Sequence, residues 1–306
     1  MAPEAARAFT PERVAAQPHR RRLVTLRSFL RDRTAFLGLT IVAFYFAAAI
    51  SAPWLAPGDP NAVDFGARFE TPSLEHPFGT DNLGRDVADR ILRGAPISMG
   101  LAVAATFGIG ALGLGLGLLA AMRGRAIDAV IMRVVDALQA LPGLLLALAL
   151  IGVLGPSLRN LVVAIVAVWW GDYARVVRSM TLSIRERPFV EAARALGASE
   201  VRIMLRHVLP NLIGPIVVLS TLDMGRTLLA VSGLSFLGLG ARPPTPEWGA
   251  MLAEAKDHLS MTPMLLVYPG MAITLFVLAF NLLGDGLRDA LDPRMRRAGA
   301  RVPPAN

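Results

Sequence analysis

The hydrophobic positions of this chain gather into long uncharged runs separated by charged stretches. A helix crosses a bilayer core with about 20 mainly apolar residues, because lipid offers the backbone no other hydrogen-bond partner. Four runs meet that requirement, at roughly 36–56, 97–122, 137–155 and 261–284. A fifth, at roughly 212–235, is long enough but carries Asp223 and Arg226. The stretch Leu161 to Trp170 is too short alone, and extends past Asp172 and Tyr173 to give a sixth span at roughly 159–176. The pattern predicts an all-α membrane protein with six transmembrane helices. Its expected divisions are an N-terminal segment at 1–34, a first span at 35–57, a loop at 58–96, a five-helix core at 97–286 and a tail at 287–306. The first run is read as a retained span: its charged leader is longer than a signal peptide's, and its apolar core exceeds the usual ~7–15 residues.

Arginine placement orients the bundle, since positive residues concentrate in cytoplasmic loops. Arg7, Arg13, Arg20, Arg21, Arg22, Arg27, Arg31 and Arg33 precede the first span, and Arg123, Arg125 and Arg133 follow the second. Arg175, Arg178, Arg185, Arg187, Arg194, Arg202 and Arg206 lie between the fourth and fifth, and Arg288, Arg294, Arg296, Arg297 and Arg301 after the sixth. The loop at roughly 57–96 is net acidic, with Asp59, Asp64, Glu70, Glu75, Asp81, Asp86 and Asp89. Six spans put every arginine-rich segment on one side, which predicts a multi-pass protein of a bacterial inner membrane with both termini cytoplasmic.

Composition narrows the chemistry. Hydrophobic residues fill 54% of 306 positions, more than an ordinary soluble domain carries. Cysteine is absent, so no disulfide, thiolate nucleophile or Cys-based metal site is available. His19, His76, His207 and His258 are far apart and form no local ligand pattern. The net charge of +8 lies next to apolar runs, which favours membrane lipid over nucleic acid as its partner. The single lysine, Lys256, stands in Glu254-Ala255-Lys256-Asp257, without the glycines and following Ser/Thr of a phosphate-cradling Walker A loop. If ATP powers this protein, another chain binds it. No catalytic or metal-ligating residue is assigned. The second span carries Gly108, Gly110, Gly113, Gly115 and Gly117, and Gly113/Gly117 have the spacing that lets membrane helices approach closely.

The most informative stretch is the long cytoplasmic loop at 177–210. Pro188 can start a helix, and Glu191 in its early turns complements the positive helix end. Ala192, Ala193 and Ala195 favour helix with little bulk, and Gly197 suits a C-terminal turn. A second short helix from Ser199 to His207 is expected to end before Pro210. Such a hairpin outside the membrane presents a narrow face that fits another protein's groove. The run resembles the "EAA" loop of ABC-importer permeases: E-A-A, three residues, G, nine residues, I-x-L-P. Glu191, Ala192, Ala193, Gly197, Leu209 and Pro210 match at the required spacing, and His207 stands where the pattern has Ile.

Further segments are similar to the dipeptide/oligopeptide/nickel branch of those permeases and to its C-type subunit. They are His76 to Asp86 before the second span, Leu234 to Gly240 and Pro243 to Gly249 after the fifth, Tyr268-Pro269-Gly270, and Asp285 to Arg294. The resemblance implies a type I ABC importer permease architecture, with this chain as half of the pathway and a second homologous permease as the other half. It implies two ATPase subunits carrying ATP and Mg, one of them docked on this chain at Glu191, Ala192, Ala193, Gly197, Leu209 and Pro210, and a periplasmic or lipid-anchored solute-binding protein. It implies no cofactor on this chain. The implied cargo is di- or oligopeptide, with nickel chelates and glutathione as alternatives.

Asp223 and Arg226 stand three residues apart on the fifth span, where a lone charge costs at least ~2.5–3.5 kcal/mol. Two readings stand: Arg226 lines the translocation path and meets a substrate carboxylate, or the two pair and pack against the partner subunit. The loop before the second span is expected to be folded, and Trp248 to sit at the membrane interface. An ion-coupled carrier would use midplane acids such as Asp223 but needs no ATPase dock. A membrane enzyme would need clustered His, Asp or Glu, which the chain does not offer in sequence.

Overall fold

The computed structural model describes residues 32–291, so the arginines at 7–31 and 294–301 lie outside the described residues. Helix α1 (Arg33–Leu55) begins where the Asp32 carboxylate accepts the Thr34 N–H at 2.9 Å and the Ala35 N–H at 3.4 Å. Helix α2 (Val87–Met122) starts behind Asp86, whose carboxylate accepts the Asp89 N–H at 2.8 Å. Its 36 residues extend about 54 Å at 1.5 Å per residue, well beyond a ~30 Å hydrocarbon core.

Between 137 and 155 the chain departs from the single straight span its apolar pattern predicts. Helix α3 (Arg125–Gln139) stops, and α4 (Gly143–Leu154) leaves at 94° to it. Pro142 causes the break: it has no N–H to donate, and its ring disfavours helical backbone at Leu141. Helix α3 buries Ile131 and Val135, and its Asp136 and Asp128 pair with Arg175 and Arg178 of α5 (Leu158–Arg185). Helix α5 continues past its predicted end at 176. Next come α6 (Pro188–Ala195), α7 (Glu200–Ile203) and α8 (Leu209–Phe236), then α9 (Trp248–Ala255) and α10 (Met264–Leu291). Counting α3 and α4 as one broken span, six segments among the described residues are long and apolar enough to cross a membrane.

Helix α2 is the hub. Against α1, α9 and α10 it buries Val87, Met99 and Ala102 with Trp248 and Phe276. Against α4, α5 and α8 it buries Ala105 and Ile109 with Ile151, Ile165 and Leu234. The second contact depends on two glycines one turn apart. A Cβ at Gly113 would lie 2.3 Å from the Tyr173 Cβ and 2.8 Å from the Trp170 carbonyl. One at Gly117 would lie 2.6 Å from the Ala174 carbonyl. Backbone therefore meets backbone along α2 and α5.

The loop from Ala56 to Asp86 is folded onto the N-terminal end of α2. Its backbone pairs with itself, for instance Asp64 N–H to the Leu83 carbonyl at 3.0 Å and Phe69 N–H to the Asp81 carbonyl at 3.2 Å. Beneath it sit four charges brought together from distant segments. Arg85 pairs with Asp81 and with Glu254 of α9, both at 2.6 Å, while Arg90 reaches Glu254 at 3.1 Å and Asp81 at 3.6 Å. Arg90 is 1% exposed, so its charge is tolerable only because partners surround it, and removing one partner of such a pair costs about 3–5 kcal/mol. Trp248 is also 1% exposed rather than at a membrane interface, and its indole N–H donates to the Ile91 carbonyl at 3.0 Å. Beside it the buried Glu247 caps α9, accepting the Gly249 and Ala250 N–H groups at 3.0 and 2.9 Å and the Ser98 hydroxyl at 3.1 Å. Burial pushes the Glu247 carboxyl above the usual carboxylate range against the pull of these bonds.

The helix contact and the loop can each be tested. Gly113→Leu should lower the thermal unfolding midpoint of the detergent-solubilised protein, with an overpacking cost of about 1–3 kcal/mol. Gly115→Ala, with nothing within 4 Å of its Cβ, should leave it unchanged; equal midpoints for both would refute the close-approach account. In the loop, His76 bonds Asp86 at 2.8 Å, and this bond raises the imidazole above its ordinary 6.5. The contribution is therefore complete below pH 6.5 and is lost as pH rises through the raised value. Protease resistance of the loop in wild type over His76→Ala should accordingly shrink as pH is raised from about 6 through the imidazole's raised value.

Candidate coupling hairpin and membrane cleft

Pro188 occupies the first turn of α6, where a missing N–H costs nothing, and Glu191 lies in the same turn. The helix ends in a complete Schellman turn: the Gly197 N–H reaches the Arg194 carbonyl at 2.9 Å, and the Ala198 N–H reaches the Ala193 carbonyl at 3.0 Å. That turn needs the positive φ of +80° found at Gly197, a region unfavourable to side chains with a Cβ. Ser199 then caps α7, accepting the Arg202 N–H at 3.3 Å.

The expected stop before Pro210 does not occur. A π-helical segment, Met204–Val208, carries the chain from α7 into α8 without a break, and the Leu209 N–H bonds the Met204 carbonyl five residues back. Pro210 supplies the physical reason, since its ring clashes with the carbonyl four residues earlier and a widened turn relieves the clash. His207, where the EAA pattern has Ile, places its ring 6.1 Å from that of Phe189 and so packs the two halves of the hairpin together.

The hairpin has two faces. Val190, Ile203, Val208 and Leu212 are fully buried against Leu118, Val177 and Ile184 of α2 and α5. Glu191, Ala192, Leu196, Gly197, Val201 and Leu205 are exposed, with Leu196 at 88%. Ala193 and Leu209 are half-buried, and Pro210 is exposed. The hairpin is thus fixed to the bundle on one side and offers a mainly apolar ridge on the other. Because α2 runs from the charged loop base at Arg90 to the hairpin's cluster at Leu118, loop and hairpin lie at opposite ends of the molecule.

Asp223 and Arg226 stand on α8 and line one cleft with Ile109, Trp169, Asp172, Thr227 and Ala230. The i, i+3 spacing does not close into an ion pair: among the described residues, no contact within 4.0 Å joins their charges. Asp223 is half-buried and Arg226 exposed. Asp172 is the third charge here, and its carboxylate accepts the Gln139 amide at 2.5 Å. The sequence pattern gives Asp172 no role beyond a cost within a short span. Two carboxylates and one guanidinium thus share a cleft on membrane-spanning helices without an ion pair among them. Asp172 has Gln139 and Asp223 the Tyr173 hydroxyl, which leaves Arg226 for water, a solute or a partner chain.

Residues 113–297 match the family described as "Binding-protein-dependent transport system inner membrane component". Residues 23–74 match the "N-terminal TM domain of oligopeptide transport permease C". A glutathione transport system permease protein, GsiD of Escherichia coli O6:K15:H31, is 46% identical over 271 residues, covering 88% of this chain and 89% of the relative. A peptide transport system permease protein of Brucella abortus biovar 1 is 43% identical over 279 residues, covering 90% and 93%. Among solved structures, the inward-facing MetNI methionine ABC transporter superposes with a TM-score of 0.54 at 17% identity, over 66% of this chain and 97% of that one, which shows a shared fold. With its bundle of apolar helices, folded loop and helical hairpin, this chain belongs to the binding-protein-dependent inner-membrane permeases and is a transport subunit of an ABC importer.

Proposed function

We propose that this permease forms half of a pathway for di- or oligopeptide uptake, with a second homologous permease as the other half. One of two ATPase subunits docks on the exposed ridge of Glu191, Ala192 and Gly197, with Ala193, Leu209 and Pro210 beside it, and the other docks on the second permease. ATP and Mg reside on those subunits. A solute-binding protein delivers cargo to the opposite end. The observation that carries the reading is the two-faced hairpin, anchored by Val190 and Ile203 and open at Leu196. The arginine-rich segments around it argue for a cytoplasmic position, with both termini on that side. ATP binding would draw the two docked hairpins together and switch the bundle between two packed arrangements.

In the cleft, Arg226 would meet a substrate carboxylate, and Asp172 and Asp223 a substrate ammonium group. The absence of an internal Asp223–Arg226 pair favours this over the self-satisfied alternative. Glutathione is the second reading, favoured by the name of the Escherichia coli relative. Nickel chelates are the third.

Uptake by proteoliposomes holding both permeases and both ATPases, with binding protein outside, tests the coupling assignment. Labelled di- and oligopeptides should enter with wild type and fail to enter with Gly197→Asp, compared at verified assembly because a Cβ meets nothing within 4 Å there but the positive φ of +80° strains the turn. Equal uptake would remove the coupling role; no uptake of peptide by either would move glutathione to first place. Separately, Arg226→Gln should reduce transport roughly tenfold or more, the worth of a charge-assisted hydrogen bond. Unchanged affinity and rate at normal protein level would exclude Arg226 from the path.

A further inference from the structure

We infer that Arg185 is the strut through which the α6–α7 hairpin moves α2, a positioning role that rests on the docking reading above. Arg185 is the last residue of α5, and its guanidinium spans two elements. One Nη donates to the Ala121 carbonyl at 2.5 Å, and the other reaches the Glu200 carboxylate of α7 at 3.4 Å. The second Glu200 oxygen accepts from Arg194 of α6 at 3.0 Å. A continuous polar chain therefore runs from α6 through α7 to the end of α2.

The Ala121 carbonyl is a specific receiver. It lies in the last turn of α2, where carbonyls have no intrahelical N–H partner, and the turn closes instead through the Arg123 N–H on Leu119 at 3.1 Å. Arg185 thus places its positive charge at the negative ends of both α2 and α5. The apolar contacts at the same junction, Leu118, Val177, Ile184 and Val190, hold the hairpin close but are non-directional. The charge-assisted bonds fix its register. Arginine suits the task because its fork offers separate N–H groups to a carbonyl and to a carboxylate, which a lysine ammonium cannot span in one geometry. Glu200 is 48% exposed, so the pair adds little to stability, and its effect should appear in movement rather than in folding.

The chain contains no cysteine, so a reporter pair can be placed without background from its own side chains. Spin labels at Arg123→Cys and Arg202→Cys, both exposed, would measure the distance between α2 and the hairpin in the full transporter. With Arg185 present, the distribution should stay narrow with and without ATP. In Arg185→Ala it should spread to at least about twice that width, and solute moved per ATP hydrolysed should fall several-fold. Arg185→Lys should not restore the narrow distribution. A distribution in Arg185→Ala as narrow and nucleotide-independent as in the parent would overturn the strut. If Arg185→Ala does not assemble, Glu200→Gln, on an exposed residue, takes its place: it should broaden the distribution, and a parent-like width would overturn the strut equally. Leu196→Asp separates the two readings, because it alters the exposed ridge without touching Arg185. ATPase subunits that co-purify unchanged with Leu196→Asp would overturn docking alone.

Discussion

Everything in this bundle hangs from the backbone-to-backbone contact of α2 with α5. In lipid there is little hydrophobic drive to push helices together, so association depends on close packing over a long line. Gly113 and Gly117 allow that line by presenting no Cβ where the Trp170 and Ala174 carbonyls come nearest. Once α5 is seated, Tyr173 and Asp172 are fixed beside α8, and the cleft with Asp223 and Arg226 takes shape. The lower part of α5 carries Val177 and Ile184 to the hairpin. Cleft and hairpin are thus positioned by one helix pair.

The same helix is held at both ends by charge. At its start, Arg85 and Arg90 bind it to the folded loop and to α9 through Asp81 and Glu254. At its finish, Arg185 holds the Ala121 carbonyl. The two clamps differ in kind. The first is buried and balanced, so that loosening it strands a charge, whereas the second is partly exposed and adds direction more than stability. This asymmetry fits the proposed docking, in which one end of the helix belongs to a rigid cap and the other follows a partner.

Much of this architecture is legible from pattern alone, because a bilayer imposes long uncharged runs that few other constraints mimic. The hairpin is legible for a different reason: Pro188, Gly197 and Ser199 each specify a local geometry. What the pattern hides depends on contacts across distance. Glu254 lies far along the chain from Arg85 and Arg90, and nothing local to α9 announces that its carboxylate completes their cluster. Asp172 reads as a flaw in a weak span until Trp169 and Arg226 stand beside it. Pro210 carries its usual meaning as a helix stop, and the widened π turn that lets a helix continue through it has no sequence signature. Pro142 is masked because apolar content on both sides outweighs it.

The broken α3–α4 span has a consequence in the lipid rather than in the protein. Twelve residues of α4 rise only about 18 Å, while the 28 residues of α10 rise about 42 Å. Helix α3 leaves it at 94°, with Arg125 and Arg133 exposed, in the manner of a helix lying along the membrane surface. At about 18 Å, α4 falls short of a ~30 Å hydrocarbon layer, a mismatch met by local thinning of the bilayer, by flanking residues reaching to the interface or by cover from another chain. What seats this corner in the membrane is therefore its surroundings rather than its own length.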